Sequence, residues 1–282
     1  MATLTLDPSA RGWYDKPAVW FKLKDYFTIL NALCGLGAIA LALEGHPYWS
    51  GFLICFSWVC DSLDGLVARL TKTFNEFGSE FDNMCDHLTH GIAPGFFVYA
   101  VYRDWFPIEE GLYGFVLLLL FSSILPIAAS IRAARFAVKP IKVKGFWIGL
   151  PRPVSAFIIV GFCNGSMFEL WPEVTYPLGI ALVVLLGALN LGSIPFLSHH
   201  GRVWTRVVAP LLLAVLFVYA STMIAGPIAL FFGYKVLEPE AFFDIVFFFL
   251  FGYLLLQWYG ARPDEWKGAK EAVAAWHQQP NP

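Results

Sequence analysis

Asp61-Ser62-Leu63-Asp64-Gly65-Leu66-Val67-Ala68-Arg69, followed after eight residues by Gly78-Ser79-Glu80-Phe81-Asp82-Asn83-Met84-Cys85-Asp86, is the stretch on which this chain is organised. Four aspartates sit in two apolar segments. A carboxylate at the centre of a membrane-spanning helix costs roughly 2.5–3.5 kcal/mol. Four of them need a partner, and no nearby excess of lysine or arginine neutralises them. The simplest partner is a divalent cation. On a helix, Asp61 and Asp64 lie about 60° apart, and Ala68 falls on the same face as Asp61. Asp82 and Asp86, four apart, share a face of the next helix. Two antiparallel helices joined by a short loop can aim all four carboxylates at one another. Hard oxygen ligands suit Mg²⁺, Mn²⁺ or Ca²⁺, whereas a zinc site would recruit His or Cys.

The flanks place this stretch in a membrane. The 282 residues are 58% hydrophobic and only 14% charged, with long uncharged runs, which is the composition of a polytopic membrane protein. A formal net charge of -2 gives no reason to expect a nucleic-acid partner. The first twenty residues are polar and mixed, so no cleavable signal peptide is expected. Cys34, Cys55, Cys60, Cys85 and Cys163 fall in expected spans without CxxC spacing and read as small buried apolar side chains.

Residues 1–12 read as a disordered tail, and the aromatic and lysine mixture of residues 13–24 suits a short interfacial helix. Spans are expected at 26–43, 48–70, 79–101, 112–137, 153–169, 176–197, 206–230 and 241–260, with no sequence repeat. Lys22, Lys24, Arg69, Lys72, Arg132, Arg135, Lys139, Lys142, Lys144, Arg152, Arg202, Arg206, Arg262, Lys267 and Lys270 fall on one side; Arg103 and Lys235 are the basic residues of the other. The positive-inside rule then puts both termini and the aspartates at the cytoplasmic face of a multi-pass cell (inner) membrane protein. Eight spans, an even number, agree with that.

The fixed positions Asp61, Asp64, Gly65, Ala68, Arg69, Gly78, Asp82 and Asp86 match D-x2-D-G-x2-A-R-x8-G-x3-D-x3-D, so the chain resembles the CDP-alcohol phosphotransferases. The resemblance extends over roughly residues 22–200. Thr28 and Asn31 match polar positions near the family's nucleotide site. Gly91-Ile92-Ala93-Pro94, the pair Arg132 and Arg135, the turn Gly149-Leu150-Pro151 and Ser193-Ile194-Pro195-Phe196 are similar to the phosphatidylserine synthase branch. The chain departs from that branch at Thr89-His90-Gly91, where Ser-Phe-Gly is usual, and at His87, where an apolar residue is usual.

The resemblance implies an all-α, polytopic transmembrane bundle. Residues 1–25 form the tail and interfacial helix, 26–200 a six-helix core, 201–262 about two additional spans and 263–282 a cytoplasmic tail. It implies attack of an alcohol on the β-phosphorus of a CDP-linked lipid, with release of CMP. The substrates are then CDP-diacylglycerol and L-serine, with two divalent cations, Mg or Mn. Asp61, Asp64 and Asp82 are the expected metal ligands. Asp86 assists them and is the expected general base. Gly65 and Ala68 lack bulk, so nucleotide can lie against the backbone; plain helix packing uses small residues too. Arg69 suits phosphate or anchors the helix at the headgroups. Gly78 opens the loop to nucleotide, and Asn75 is placed to hydrogen-bond it. Arg132 and Arg135 share a helix face and suit phosphate or the serine carboxylate, or snorkel to headgroups. His90 is close enough in sequence to touch the acceptor, or is satisfied by a backbone carbonyl.

The lipid substrate must enter sideways, which requires a groove open to lipid near the cytoplasmic face. A homodimer is implied by the resemblance. Another acceptor, such as inositol phosphate, glycerol phosphate or a different alcohol, would use the same chemistry. A divalent-cation transporter would also employ intramembrane carboxylates, but such sites sit near the midplane within repeats, and here the aspartates lie near one face.

Overall fold

The computed structural model describes residues 21–73, 75–107, 111–198 and 239–279. The expected interfacial helix, all but its last residues, and the expected span at 206–230 lie outside the described residues. The described chain is helical almost throughout. Helix α1 (Leu23–Leu43) packs along α2 (Pro47–Thr71). The buried stripe of α1 runs Thr28, Asn31, Cys34, Gly35, Ala38 and Ala42, a helical spacing of small or polar groups that allows close approach. A Cβ on Gly37 would come within 2.9 Å of Leu53.

Helix α3 (Glu76–Asp86) continues through a π-helical turn (His87–Ile92) into α4 (Ala93–Tyr102). Pro94 explains the widening. It has no N–H for the His90 carbonyl, and its ring crowds that carbonyl, so the turn opens. A second proline acts similarly between α5 (Leu112–Ser122) and α6 (Ile124–Val138), where Pro126 leaves the Ser122 carbonyl without its i+4 donor and the helix breaks at Ser123. The pair still reads as one apolar stretch of 27 residues.

Strand β1 (Phe146–Ile148) precedes α7 (Arg152–Asn164), the short α8 (Ser166–Leu170) and α9 (Pro172–Leu191). Strand β2 (Pro195–Leu197) returns antiparallel to β1, with Trp147 opposite Phe196. Here the structure corrects the expected boundary of the sixth span: the helix stops at Leu191 rather than 197. The residues after it pair with the segment before α7. Gly149 makes this possible, with φ +68 and a Cβ position only 2.6 Å from the Gly192 carbonyl oxygen.

Helix α10 (Pro239–Leu256) packs against α7, and a 3₁₀ turn (Gln257–Gly260) leads to α11 (Pro263–Gln278). The segment expected to be a tail is thus an amphipathic helix. Trp266, Ala269, Val273 and Trp276 form its buried face, and Trp266 packs edge-on to Phe146 of the hairpin.

Among the described residues, five helices are long and apolar enough to cross a membrane: Leu23–Leu43, Pro47–Thr71, Leu112–Val138, Pro172–Leu191 and Glu240–Gly260. The third expected span is α3–α4, broken by the π turn. The fifth is divided between α7 and α8. All five cysteines are buried, as expected of small apolar side chains in these segments.

Candidate active site

Four residues, 72–75, connect α2 and α3 and set the two helices antiparallel. Lys72 caps α2 in the left-handed conformation, φ 54. Asn75 caps α3, its Oδ1 accepting from the Gly78 N–H at 2.9 Å. That is the role the structure shows for Asn75, and Asn-x-x ahead of an amphipathic run could have been read as a cap. The short connection brings the two acidic pairs together. Asp61, Asp64 and Asp82 each offer an oxygen within 4.8 Å of the others. Asp64 and Asp82 approach to hydrogen-bonding distance of each other. Two carboxylates so placed repel unless a proton or a cation lies between them.

Asp86 sits beside this triad rather than inside it. Its Oδ1 accepts from Asn31 Nδ2 at 3.0 Å and lies 3.4 Å from His90 Nδ1. Asp64 is fixed in turn by Thr28, whose hydroxyl donates to Oδ2 at 2.9 Å. Thr28 and Asn31, one turn apart on α1, therefore orient one carboxylate of each acidic helix. Asp82 Oδ1 and Asn31 Oδ1 are buried with no hydrogen-bond partner among the described residues. A buried carboxylate oxygen without a donor is costly, and a cation resolves the cost for Asp82. The donor set is all oxygen, which fits Mg²⁺ or Mn²⁺. Among the described residues no lysine or arginine forms an ion pair with the four aspartates. Basic charge does come near: Lys24 is buried, bonded to Asp25 at 2.7 Å, and acts electrostatically on Asp64 and Asp82.

The small residues divide by surroundings. Gly65 faces open space bounded by the Arg69 guanidinium, 3.5 Å from where a Cβ would stand. Ala68 is buried. A Cβ on Gly78 would collide with the Lys24 ammonium and the Asn75 side chain. Gly35 lets α1 meet the π turn, since a Cβ there would stand 3.1 Å from the Thr89 Cα.

His90 is buried, 3% exposed, with Nε2 3.0 Å from Ser57 Oγ and its ring against Phe157. Its Nδ1 lies toward Asp86 Oδ1, at 3.4 Å. Arg132 and Arg135 donate to backbone: Arg132 Nη1 to the Ile148 carbonyl, Arg135 to the carbonyls of Leu191 and Gly192 at 2.7 and 3.2 Å, while Arg135 Nε is buried with no hydrogen-bond partner among the described residues. They tie α6 to the hairpin and to the end of α9. Arg152, read from the sequence only as a loop charge, instead reaches Asn83 and His87 beside the acidic pair. Lys24, Ser57, Asn83 and Arg152 are the neighbours that the sequence reading missed. Of these, Asn83 alone carried a signal, being polar and directly after the site aspartate Asp82.

With this geometry in view, the model of the CDP-alcohol phosphatidyltransferase family matches residues 21–186. The chain belongs to that family. Its members include proteins similar to it from both bacteria and archaea. A CDP-diacylglycerol–serine O-phosphatidyltransferase of Methanocaldococcus jannaschii is 33% identical over 187 residues, covering 66% of this chain and 79% of that protein. The enzyme of the same name from Helicobacter pylori is 29% identical over 181 residues, 63% of this chain and 73% of its own. An archaetidylserine synthase of Methanothermobacter thermautotrophicus is 31% identical over 142 residues, half of this chain and 57% of its own. The family match covers the aspartate stretch, so this chain is an enzyme of the CDP-alcohol phosphotransferase kind, built as a membrane helix bundle with an acidic triad suited to a divalent ion.

Proposed function

We propose that the chain makes phosphatidylserine and CMP from CDP-diacylglycerol and L-serine. The observation that carries the reading is the triad Asp61, Asp64 and Asp82 with Asp86 alongside, in a chain whose relatives bear serine phosphatidyltransferase names. Asp86 takes the proton of the serine hydroxyl. The serine oxygen bonds to the β-phosphorus, the bond from that phosphorus to the bridging oxygen breaks, and CMP departs. Two divalent cations, Mg or Mn, held by Asp61, Asp64 and Asp82 with Asp86 assisting, would supply charge neutralisation to the pyrophosphate and the departing phosphate. Asn31 and His90 position the Asp86 carboxylate, and Thr28 positions Asp64. Gly65 leaves room for the nucleotide beside Arg69, whose guanidinium suits a phosphate.

The lipid enters sideways through a groove near the cytoplasmic face, because its acyl chains remain in the bilayer. Both termini and the site face the cytoplasm, a reading supported by the bias of loop lysines and arginines. The enzyme works as a homodimer in the cell membrane. The test is CMP release by the purified protein with CDP-diacylglycerol, Mn²⁺ or Mg²⁺ and a panel of alcohols. Serine-dependent CMP is expected. CMP with another alcohol alone would remove serine while keeping the family chemistry. CMP with none would remove the reading.

A further inference from the structure

Arg152 is the first residue of α7, so its cation stands at the positive end of the helix dipole, where an anion is favoured instead. Its present partners are neutral. Nη2 donates to Asn83 Oδ1 at 2.9 Å, and Nη1 lies 3.2 Å from His87 Nδ1. A guanidinium only donates, so Nδ1 accepts, and the His87 proton is on Nε2. Nε2 then donates to Ser130 Oγ at 3.1 Å, and Ser130 donates to the Pro126 carbonyl at 2.8 Å. Every bond in this chain has one donor and one acceptor, and the chain fixes the orientation of the guanidinium. It engages two of the five guanidinium donors. Among the described residues no acid pairs with Arg152. Arg132 and Arg135 donate instead to backbone carbonyls, of Ile148 and of Leu191 and Gly192.

The place of this fork matters. Asn83 and His87 follow Asp82 and Asp86 by one residue each, so they form the adjoining face of the same helix, about 100° around it. The charges of Asp82 and Asp86 act on Arg152. The open space beside Gly65 and Arg69, where the reading above puts the nucleotide, lies on α2. We propose that Arg152, aimed by Asn83, His87 and Ser130, binds the carboxylate of the amino-acid acceptor; this rests on the serine reading above. In serine the hydroxymethyl and carboxylate groups share one carbon. A carboxylate gripped beside Asp86 therefore delivers the hydroxyl to that base, which is what the adjoining faces of α3 provide. The shared chemistry is a bidentate anion, and the lipid phosphate is the other possible source.

The experiment uses the full chain in lipid nanodiscs, with CMP release followed for L-serine, L-serinamide and ethanolamine, the last two lacking the negative charge. The wild type is expected to prefer serine over serinamide by about ten- to a hundredfold in kcat/KM, the weight of a charge-assisted pair. Arg152→Gln is expected to raise KM for serine by a similar factor, leave KM for CDP-diacylglycerol within about twofold, and erase the preference over serinamide. Arg152→Lys, with a point charge and no fork, is expected to fall between. A wild type indifferent to the carboxylate overturns the proposal whether or not the variants fold. So does a variant that keeps its preference, or one in which KM for CDP-diacylglycerol rises instead, which would give the fork to the lipid phosphate. A wild type that releases no CMP with serine overturns the parent reading, a different result from any of these.

Discussion

At the junction of α1, α2 and α3, carboxylates crowd to within 4.8 Å and buried oxygens go without donors, whereas at the far end of α4 no buried side-chain polar atom among the described residues lacks a partner. Tyr102, about 24 Å along the helix from Asp86, is fully buried and donates to the Tyr176 carbonyl at 3.1 Å. Phe121 and Tyr176 meet its ring edge-on, and Trp105 stacks on Tyr176 at 4.6 Å. One helix thus carries a satisfied anchor at one end and an unsatisfied acidic site at the other. The difference shows where stability and function separate. The aromatic end holds α4 against α9, and the acidic end keeps repulsion that a divalent cation would relieve.

Substitutions can break that contrast. Asp86→Asn is expected to lower CMP release by about 10²–10⁴-fold, the usual weight of a general base, while the metal-free protein melts no lower than wild type, because one crowded charge is gone. Circular-dichroism melting beside the CMP assay measures both. Chelation comes next. Removing a cation that binds at a hundred times its dissociation constant costs about 2.7 kcal/mol, so EDTA is expected to lower the melting temperature of wild type and not that of Asp82→Asn. Tyr102→Phe should do the reverse of Asp86→Asn. Losing the hydrogen bond to the Tyr176 carbonyl costs about 0.5–1.5 kcal/mol, read as a lower melting temperature with KM values within about twofold of wild type. The smallest effect belongs to Lys139→Met. It removes the ammonium that lies 5.3 Å over the Trp276 ring, a contact worth about 0.5–1 kcal/mol at an exposed site. The loss should appear as faster proteolysis of α11.

The acidic end was legible in the sequence because its pattern is local. Asp61 and Asp64, then Asp82 and Asp86, need only helical periodicity and a short connection to converge. What escaped was non-local or concealed in shared composition. Arg152 looks like any loop cation, and its partners Asn83 and His87 lie 69 and 65 residues away. The hairpin escaped because Pro195–Leu197 is apolar and continues the hydropathy of α9, which outweighed the stop signal of Gly192 and Pro195 after Leu191. The C-terminal helix was legible only as a mildly charged segment. Its apolar face, Trp266 to Trp276, has the helical spacing that would have revealed it. Pro94 and Pro126 were visible, but whether a proline widens, breaks or merely starts a helix depends on what packs beside it. A Cβ on Gly95 would touch the Ser122 carbonyl at 2.8 Å, which shows how tightly α4 and the α5–α6 break fit together.

The central claim is that the carboxylates of α2 and α3 jointly hold divalent cations. Mn²⁺ titration followed by electron paramagnetic resonance, in nanodiscs with CDP-diacylglycerol present, tests it most directly. Saturable binding to the wild type that is lost in Asp64→Asn and in Asp82→Asn is the predicted result. Equal Mn²⁺ binding by wild type and both variants, or none by any of them, would contradict it.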